Sequence, residues 1–382
     1  MIFFTKKTGV YITVLALIFL TACTCSKKIK NTTATITDSI WMLPFKKLDS
    51  VNPVMQPGNL VFNCPVRQQL VKWESKNVYN PAVTVKDDTL FMLYRAQDSS
   101  GCSRIGLAKS ADGIHFIKYD SPVLYPANDS YKKYEWPGGC EDPRLVEDST
   151  GTYYLTYTAY DGKTARLMIA TSTDLFHWKK HGPVFIDAKY MNLWSKSGSI
   201  ISTYINNKII ATKINGLYYM YWGDKYIWTA TSADLIHWTP LEQKPDKNFD
   251  AVYAGSDIST LQIAVPTRKN KFDCDLVESG PPAIYTNKGI LLIYNSRNIR
   301  SIGDTSLAEG TYTVSQVLLD KNQPFKIINR MNNYFLKPEK SYEFSGEVNN
   351  VCFAEGLAFY KNYRWLYYGT ADSKIAVATK RN

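Results

Sequence analysis

LFMLYRAQD (90–98), TYYLTYTAYD (152–161), LYYMYWGD (217–224), ILLIYNSRN (290–298) and YRWLYYGTAD (363–372) are five versions of one pattern. Each is an aromatic-rich run of strand type that reaches a tyrosine and then turns to small or polar residues. The anchor tyrosines are Tyr94, Tyr157, Tyr221, Tyr294 and Tyr368, spaced 63, 64, 73 and 74 residues apart. A near-constant period of this size with β-type content marks propeller blades. The predicted fold class is therefore all-β, a five-bladed β-propeller.

A second motif follows three of the copies: IGLAKSADGIHF (105–116), LMIATSTDLFHW (167–178) and IWTATSADLIHW (227–238). Each reads as a strand, a Ser-x-Asp turn, then a histidine and an aromatic. Asp and Ser favour such turns because their side chains bond nearby backbone amides. His115, His177 and His237 hold equivalent repeat positions, so their predicted role is structural. Only His181 is left over, which argues against a histidine metal centre or a catalytic triad.

Outward from the repeats, the N-terminus predicts export. Lys6 and Lys7 precede an apolar run from Val10 to Leu20, and Leu20-Thr21-Ala22-Cys23 follows. That is the layout of a signal peptide over 1–22 with Cys23 as the lipidation site; the run is short for a membrane span. Residues 23–40 read as a polar tether, and 41–382 as the propeller domain. The expected location is the outer membrane, facing the periplasm.

The formal charge of +11 falls to +9 without Lys6 and Lys7. The cations are scattered along the chain, which speaks against nucleic acid as a partner. Cys64, Cys102, Cys140, Cys274 and Cys352 are far apart and form no C-x-x-C pair, which argues against a zinc site. Neither a metal nor an organic cofactor is expected.

In a propeller the first strand of each blade lines the central channel. Just upstream of the anchor runs stand Asn80-Pro81-Ala82, Glu141-Asp142-Pro143-Arg144, Lys196-Ser197-Gly198, Glu278-Ser279-Gly280-Pro281 and Asn349-Asn350. Carboxylates from distant parts of the chain would meet there, as acid–base work on a glycosidic bond requires. Aromatic residues make up 14% of the chain, which suits sugar stacking, although most of them would be core.

NPAV (80–83) with LYRA (93–96), SRIGLAKSADGIHF (103–116), GGCEDPRLV (138–146) and YYGTAD (367–372) resemble glycoside hydrolase family 130. That is the family of β-mannoside phosphorylases and β-1,2-mannosidases. The resemblance implies a five-bladed propeller and a mannose-containing oligosaccharide as partner. It places Asp142 beside the scissile bond and Asn80, Arg95, Arg104 and Asp372 at the innermost sugar. Arg144 of the same EDPR element joins the substrate-binding set.

Phosphorylases of the family resemble P-E-K-I-N-G-K-Y…H-R-P in the third blade. Here Lys213 is retained, but the His-Arg pair is replaced by Trp222-Gly223, followed by Asp224. Phosphate recognition needs fixed cations, and a carboxylate would repel the dianion. In the fourth blade Glu278 stands where phosphorylases tend to have glycine. The expectation is an exo-acting, inverting β-mannosidase whose catalytic pair is Asp224 and Glu278, with acid and base left unassigned between them. Lys213 and Arg166 match cationic positions of the phosphorylases, so phosphorolysis is the alternative. A lipid-anchored glycan binder without activity is a second alternative.

Overall fold

The computed structural model describes residues 40–246 and 249–381. The expected leader and nearly all of the expected tether, with Cys23, lie outside the described residues. The described chain is nearly all β, with two four-residue helices, Lys132–Glu135 and Ser341–Phe344.

Consecutive strands pair antiparallel in five meanders. The first runs Asn77–Lys86, Thr89–Gln97, Ser103–Ser110 and Ile117–Lys118. The second runs Gly139–Glu147, Tyr153–Tyr160, Ala165–Ser172 and Lys179–Pro183. In the third, Ser199–Ile200, Leu217–Trp222, Ile227–Ser232 and Thr239–Pro240 pair in turn. Its inner strand is interrupted after Ile200 by a hairpin, Ser202–Ile205 with Lys208–Ala211. In the fourth, Leu276–Ser279 and Ile284–Thr286 both pair with Gly289–Arg297, followed by Tyr312–Leu319 and Ile327–Arg330. The fifth comprises Cys352–Tyr360, Tyr363–Thr370 and Lys374–Arg381. Its outermost strand comes from the other end of the chain: Lys46 pairs with Thr379 and Lys47 with Ala378.

Side chains alternate along a strand, so each meander has two apolar faces, and each face packs on a neighbour. Leu93, Leu107, Leu155 and Met168 join the first meander to the second. Leu167, Ile169, Trp222 and Trp228 join the second to the third. Tyr221, Ile227, Leu292 and Val317 link the third to the fourth, and Ile293, Val314, Leu366 and Ala376 link the fourth to the fifth. Met92, Tyr94, Trp365 and Val377 then join the fifth back to the first.

The anchor tyrosines share a further device. Tyr94, Tyr157, Tyr294 and Tyr368 donate their hydroxyls to Glu74, Glu135, Asp273 and Glu343 at 2.8–3.0 Å. All four carboxylates are fully buried. Each also takes a cation from the outermost strand of its meander: Lys118, Lys180, Arg330 or Lys47. A buried charge is tolerable when it is paired and hydrogen-bonded, and here the pair fastens the outer strand to the inner layers. The third meander lacks this clasp, since Tyr221 donates to the Pro324 carbonyl at 2.6 Å instead. Removing one partner of a buried pair costs about 3–5 kcal/mol, against about 1 kcal/mol for a neutral hydrogen bond. Glu135→Leu should therefore lower the denaturation midpoint several times more than Tyr221→Phe. Equal losses in urea unfolding would refute the clasp.

The repeated Ser-x-Asp turns are closed by their own side chains. Asp112, Asp174 and Asp234 each accept two backbone N–H groups through Oδ1 and contact His115, His177 and His237 Nδ1 through Oδ2. The three histidines are exposed turn residues. Cys64, Cys102, Cys140, Cys274 and Cys352 are buried free thiols.

Candidate active site

The inner strands of the first and second meanders carry the same irregularity. Register slips between Tyr79 and Pro81 and between Glu141 and Arg144, leaving Asn80 and Asp142 with φ of 49°. A bulge residue leaves the ladder and its side chain is re-aimed. The two side chains meet, with Asn80 Nδ2 donating to Asp142 Oδ1 at 2.8 Å. Gly369 makes room for this amide, because a Cβ there would lie 2.7 Å from Asn80 Oδ1.

Arg95 reaches the same carboxylate, donating from Nη1 to Asp142 Oδ1 at 2.9 Å and from Nη2 to Glu141 Oε1 at 2.7 Å. Its guanidinium lies 4.7 Å from the centre of the Tyr79 ring. Lys196 Nζ stands 3.4 Å from Asp142 Oδ2. Burial alone would raise the Asp142 carboxyl, but Arg95, Lys196 and Arg144 hold it well below the usual carboxylate range. Asp372 completes this corner: burial lifts it to about 6 against the pull of Arg95.

Glu278 lies on the inner strand of the fourth meander, opposite Asn295, and is buried. Ser197 donates its hydroxyl to Oε1, and Arg144 Nη2 is 3.9 Å from the same oxygen. Burial, and the neighbouring charge of Asp224, raise Glu278 to about 7 despite Lys196 and Arg144. Gly280 permits this strand to lie close to the fifth meander, since a Cβ would be 2.8 Å from the Ala354 carbonyl oxygen.

Asp224 follows the last strand residue of its run, Trp222, across Gly223 (φ 112°). Trp194 donates its indole N–H to Asp224 Oδ2 at 2.9 Å. Oδ1 is enclosed, and no donor reaches it with hydrogen-bond geometry. The phenol of Tyr253 faces this carboxylate, and burial together with that charge raises it. The ring of Trp194 meets Tyr160 edge-on at 6.2 Å, giving the site an aromatic wall.

The structure thus brings together Asn80, Arg95, Asp142, Asp372, Asp224 and Glu278. It adds Lys196, which the sequence presents only as part of a strand start. Burial would lower this ammonium, but Asp142, Glu278, Asp224 and Glu141 hold it well above its ordinary value.

Three expected substrate-binding residues are placed differently. Arg104 points to the face of its strand opposite Arg95. It is enclosed, bonds Asp98 Oδ2 at 2.9 Å and covers the Phe62 ring. Arg144 is buried and tied to the backbone: Nη2 donates to the Ser279 carbonyl at 2.9 Å and Nη1 to the Asp142 carbonyl at 3.1 Å. Lys213 is exposed and pairs with Tyr218 at the far end of the strand from Asp224, its ammonium over the Tyr218 ring. Arg166 is engaged by Asp161 at 2.6 Å and by Asn192.

The sequence profile of Glyco_hydro_130, described as beta-1,4-mannooligosaccharide phosphorylase, matches residues 46–382. The chain belongs to glycoside hydrolase family 130. Among family 130 relatives, a 1,2-beta-oligomannan phosphorylase of Thermoanaerobacter sp. (strain X514) is 30% identical over 317 residues, covering 80% of this chain and 90% of that one. One solved structure is presented with the statement that the family of mannoside phosphorylases contains glycoside hydrolases that target beta-1,2 mannosidic linkages in Candida mannan. It superposes with a TM-score of 0.83 at 43% identity, covering 90% of this chain and 95% of that one. The beta-1,2-mannobiose phosphorylase of Listeria innocua shares the fold at 20% identity, with a TM-score of 0.65 over 89% of this chain and 97% of its own.

Proposed function

We propose that this chain is an exo-acting β-mannosidase that hydrolyses β-1,2-mannosidic linkages with inversion. We further propose that its five meanders are the blades of one five-bladed β-propeller. The cyclic order of the five apolar clusters supports the second statement.

The observation that carries the first is the company Lys196 keeps. Four carboxylates (Asp142, Glu278, Asp224 and Glu141) act on this one ammonium. A phosphate dianion needs uncompensated donors, and Lys196 is already engaged by Asp142 at 3.4 Å, with the charge of Asp224 acting on it as well. Water carries no such charge and needs a base instead.

Glu278, raised to about 7, keeps its proton in a substantial fraction of molecules at neutral pH and serves as the general acid to the leaving oxygen. Asp224 serves as the base: Trp194 fixes Oδ2, Tyr253 faces the carboxylate, and the group takes the proton of the attacking water. Asp142 stays ionised among its cations. It orients sugar hydroxyls together with Asn80, Arg95 and Asp372, and its charge favours the oxocarbenium-like transition state.

The second reading is a β-mannoside phosphorylase. It is favoured by the activity named for the Thermoanaerobacter relative. Incubation with β-1,2-mannobiose, with and without phosphate, separates the two. Free mannose at equal rates in both, released first as the α-anomer by NMR, is the expected result. Phosphate-dependent formation of mannose 1-phosphate would overturn hydrolysis, and binding without turnover would overturn both.

A further inference from the structure

Away from the active site, a groove of about 710 Å³ opens between the outer parts of the first and second meanders. Five rings line it: Tyr119, Tyr125, Tyr131, Phe176 and Trp178. All five are half-buried, and none belongs to the group around Asp142 and Glu278. Tyr119 meets Phe176 edge-on at 4.9 Å. Gly182 (φ 97°) leaves room for the Tyr131 ring, since a Cβ there would lie 2.9 Å from it.

The groove is held in shape from behind. Tyr119 and Val123 donate their backbone N–H groups to the Leu107 and Ile105 carbonyls at 3.0 and 2.8 Å. Lys180 Nζ donates to the Tyr125 carbonyl at 2.8 Å, and the inner edges of the rings pack on the core. Trp178 closes the second copy of the repeated turn, as Trp238 closes the third. Each donates its indole N–H to the leucine carbonyl three residues back, at 2.9 and 3.1 Å. Trp238 is buried, whereas Trp178 stays half-exposed and lines the groove. A second concavity of about 370 Å³ shares His177 and Trp178 with the first and continues past Thr152, Thr173 and Lys179. Two hollows with a common wall suit an extended chain rather than a compact ligand.

The chemistry of the lining selects the class of ligand. Lys180, the cation of the larger hollow, is compensated by Glu135 at 2.6 Å and Asp129 at 3.3 Å, so an anion gains nothing there. Among the described residues, no group bonds the hydroxyls of Tyr119, Tyr125 and Tyr131. A wholly apolar ligand would strip water from these phenols and return no hydrogen bond. A pyranose offers an apolar C–H face to the rings and a rim of hydroxyls to the phenols, and the volume is that of an ordinary ligand site.

We propose that this groove is a second, non-catalytic site for a neutral oligosaccharide, the mannan from which the active site removes sugars. The identity of the glycan rests on the function proposed above, and one experiment keeps the two apart. β-1,2-Mannohexaose is added to the Glu278→Gln chain, and protection from hydroxyl-radical oxidation is read residue by residue. Trp194 reports the active site; Trp178 and Tyr131 report the groove. All three should be protected. Protection of Trp178 and Tyr131 without Trp194 would support the groove and overturn the function. Protection of Trp194 alone would overturn the groove, and protection of none would overturn both. The footprint alters no residue of the groove, so it decides whether or not a groove variant folds. Trp178→Ala should weaken binding in the groove about tenfold. It should lower kcat/KM on long mannan severalfold and leave kcat/KM on β-1,2-mannobiose unchanged. Unchanged rates on both substrates would also overturn the proposal.

Discussion

Glu278→Gln is expected to lower kcat/KM about 10²–10⁴-fold, the contribution of a positioned general acid, and to leave the fold intact. The amide keeps the shape and can still accept from Ser197, but it has no proton to give to the leaving oxygen. The alkaline limb near pH 7 set by Glu278 should disappear from what activity remains. Stability should move the other way. A buried carboxyl whose folded value lies above its unfolded one favours folding below the unfolded value. It loses that contribution as pH rises through about 7. Wild type should therefore lose stability between roughly pH 4.3 and 7, and the variant should not. Kinetics at pH 6 and pH 8.5 and thermal melts at pH 4.5 and pH 8.5 check both halves. Full activity at pH 6 in the variant would remove Glu278 from the mechanism.

Asp142→Asn should damage both activity and fold. Asp142 is buried, and Arg95, Lys196 and Arg144 all rely on its charge. Without it Arg95 keeps Glu141 and Arg144 keeps its contact with Glu355, but Lys196 loses its nearest carboxylate, and the loss for a broken buried ion pair is about 3–5 kcal/mol. The direction with pH is opposite to that of Glu278. A carboxyl held below its unfolded value contributes stability above about pH 3.9 and loses it as pH falls through the folded value. The gap between wild type and variant should thus be full at pH 7 and narrow only in strong acid. Urea unfolding at pH 7 and pH 2 measures it. Turnover of β-1,2-mannobiose should fall at least as far as in Glu278→Gln, because the proposed sugar site loses its anionic member and Arg95 one of its two carboxylates. A variant as stable as wild type at pH 7 would refute the electrostatic account.

The strand pattern was legible because short continuous apolar and aromatic runs recur around each anchor tyrosine, as strands covered on both faces require. Asn80, Arg95, Asp142, Asp224, Glu278 and Asp372, which the structure brings together, each lie close to a strand end recognisable in the sequence. What failed was the choice of face. Arg104 is one ladder position removed from the side that Arg95 shares, since Arg95 pairs with Ile105 and Ala96 with Arg104. Lys213 lies at the wrong end of its strand, a matter of pairing rather than of spelling. Glu355, the acid that meets Arg144 at 2.9 Å, escaped because a one-residue bulge between Ala354 and Gly356, which leaves no mark in a hydropathy pattern, decides that it points inward. The acid clasps did leave a signal. Glu74, Glu135, Asp273 and Glu343 stand 20 to 25 residues before their tyrosines, and the third tyrosine has no acid at that offset.

The pairing of Lys46–Lys47 with Lys374–Arg381 bears on how the molecule is made. The early strand leaves the ribosome more than 300 residues before its partner, so four meanders can form while the fifth is still unfinished. Joining ends so distant carries a loop-closure cost and slows the final step. Until then Met92, Tyr94 and their neighbours in the first meander lack the apolar cover that Trp365 and Val377 bring. Lys47 then fills its place beside Glu343, and Asn52 bonds both the N–H and the carbonyl of Val377. Newly made chains are thus exposed to proteases and to one another until Lys374–Arg381 has been made, and the early strand Lys46–Lys47 is what ends that exposure.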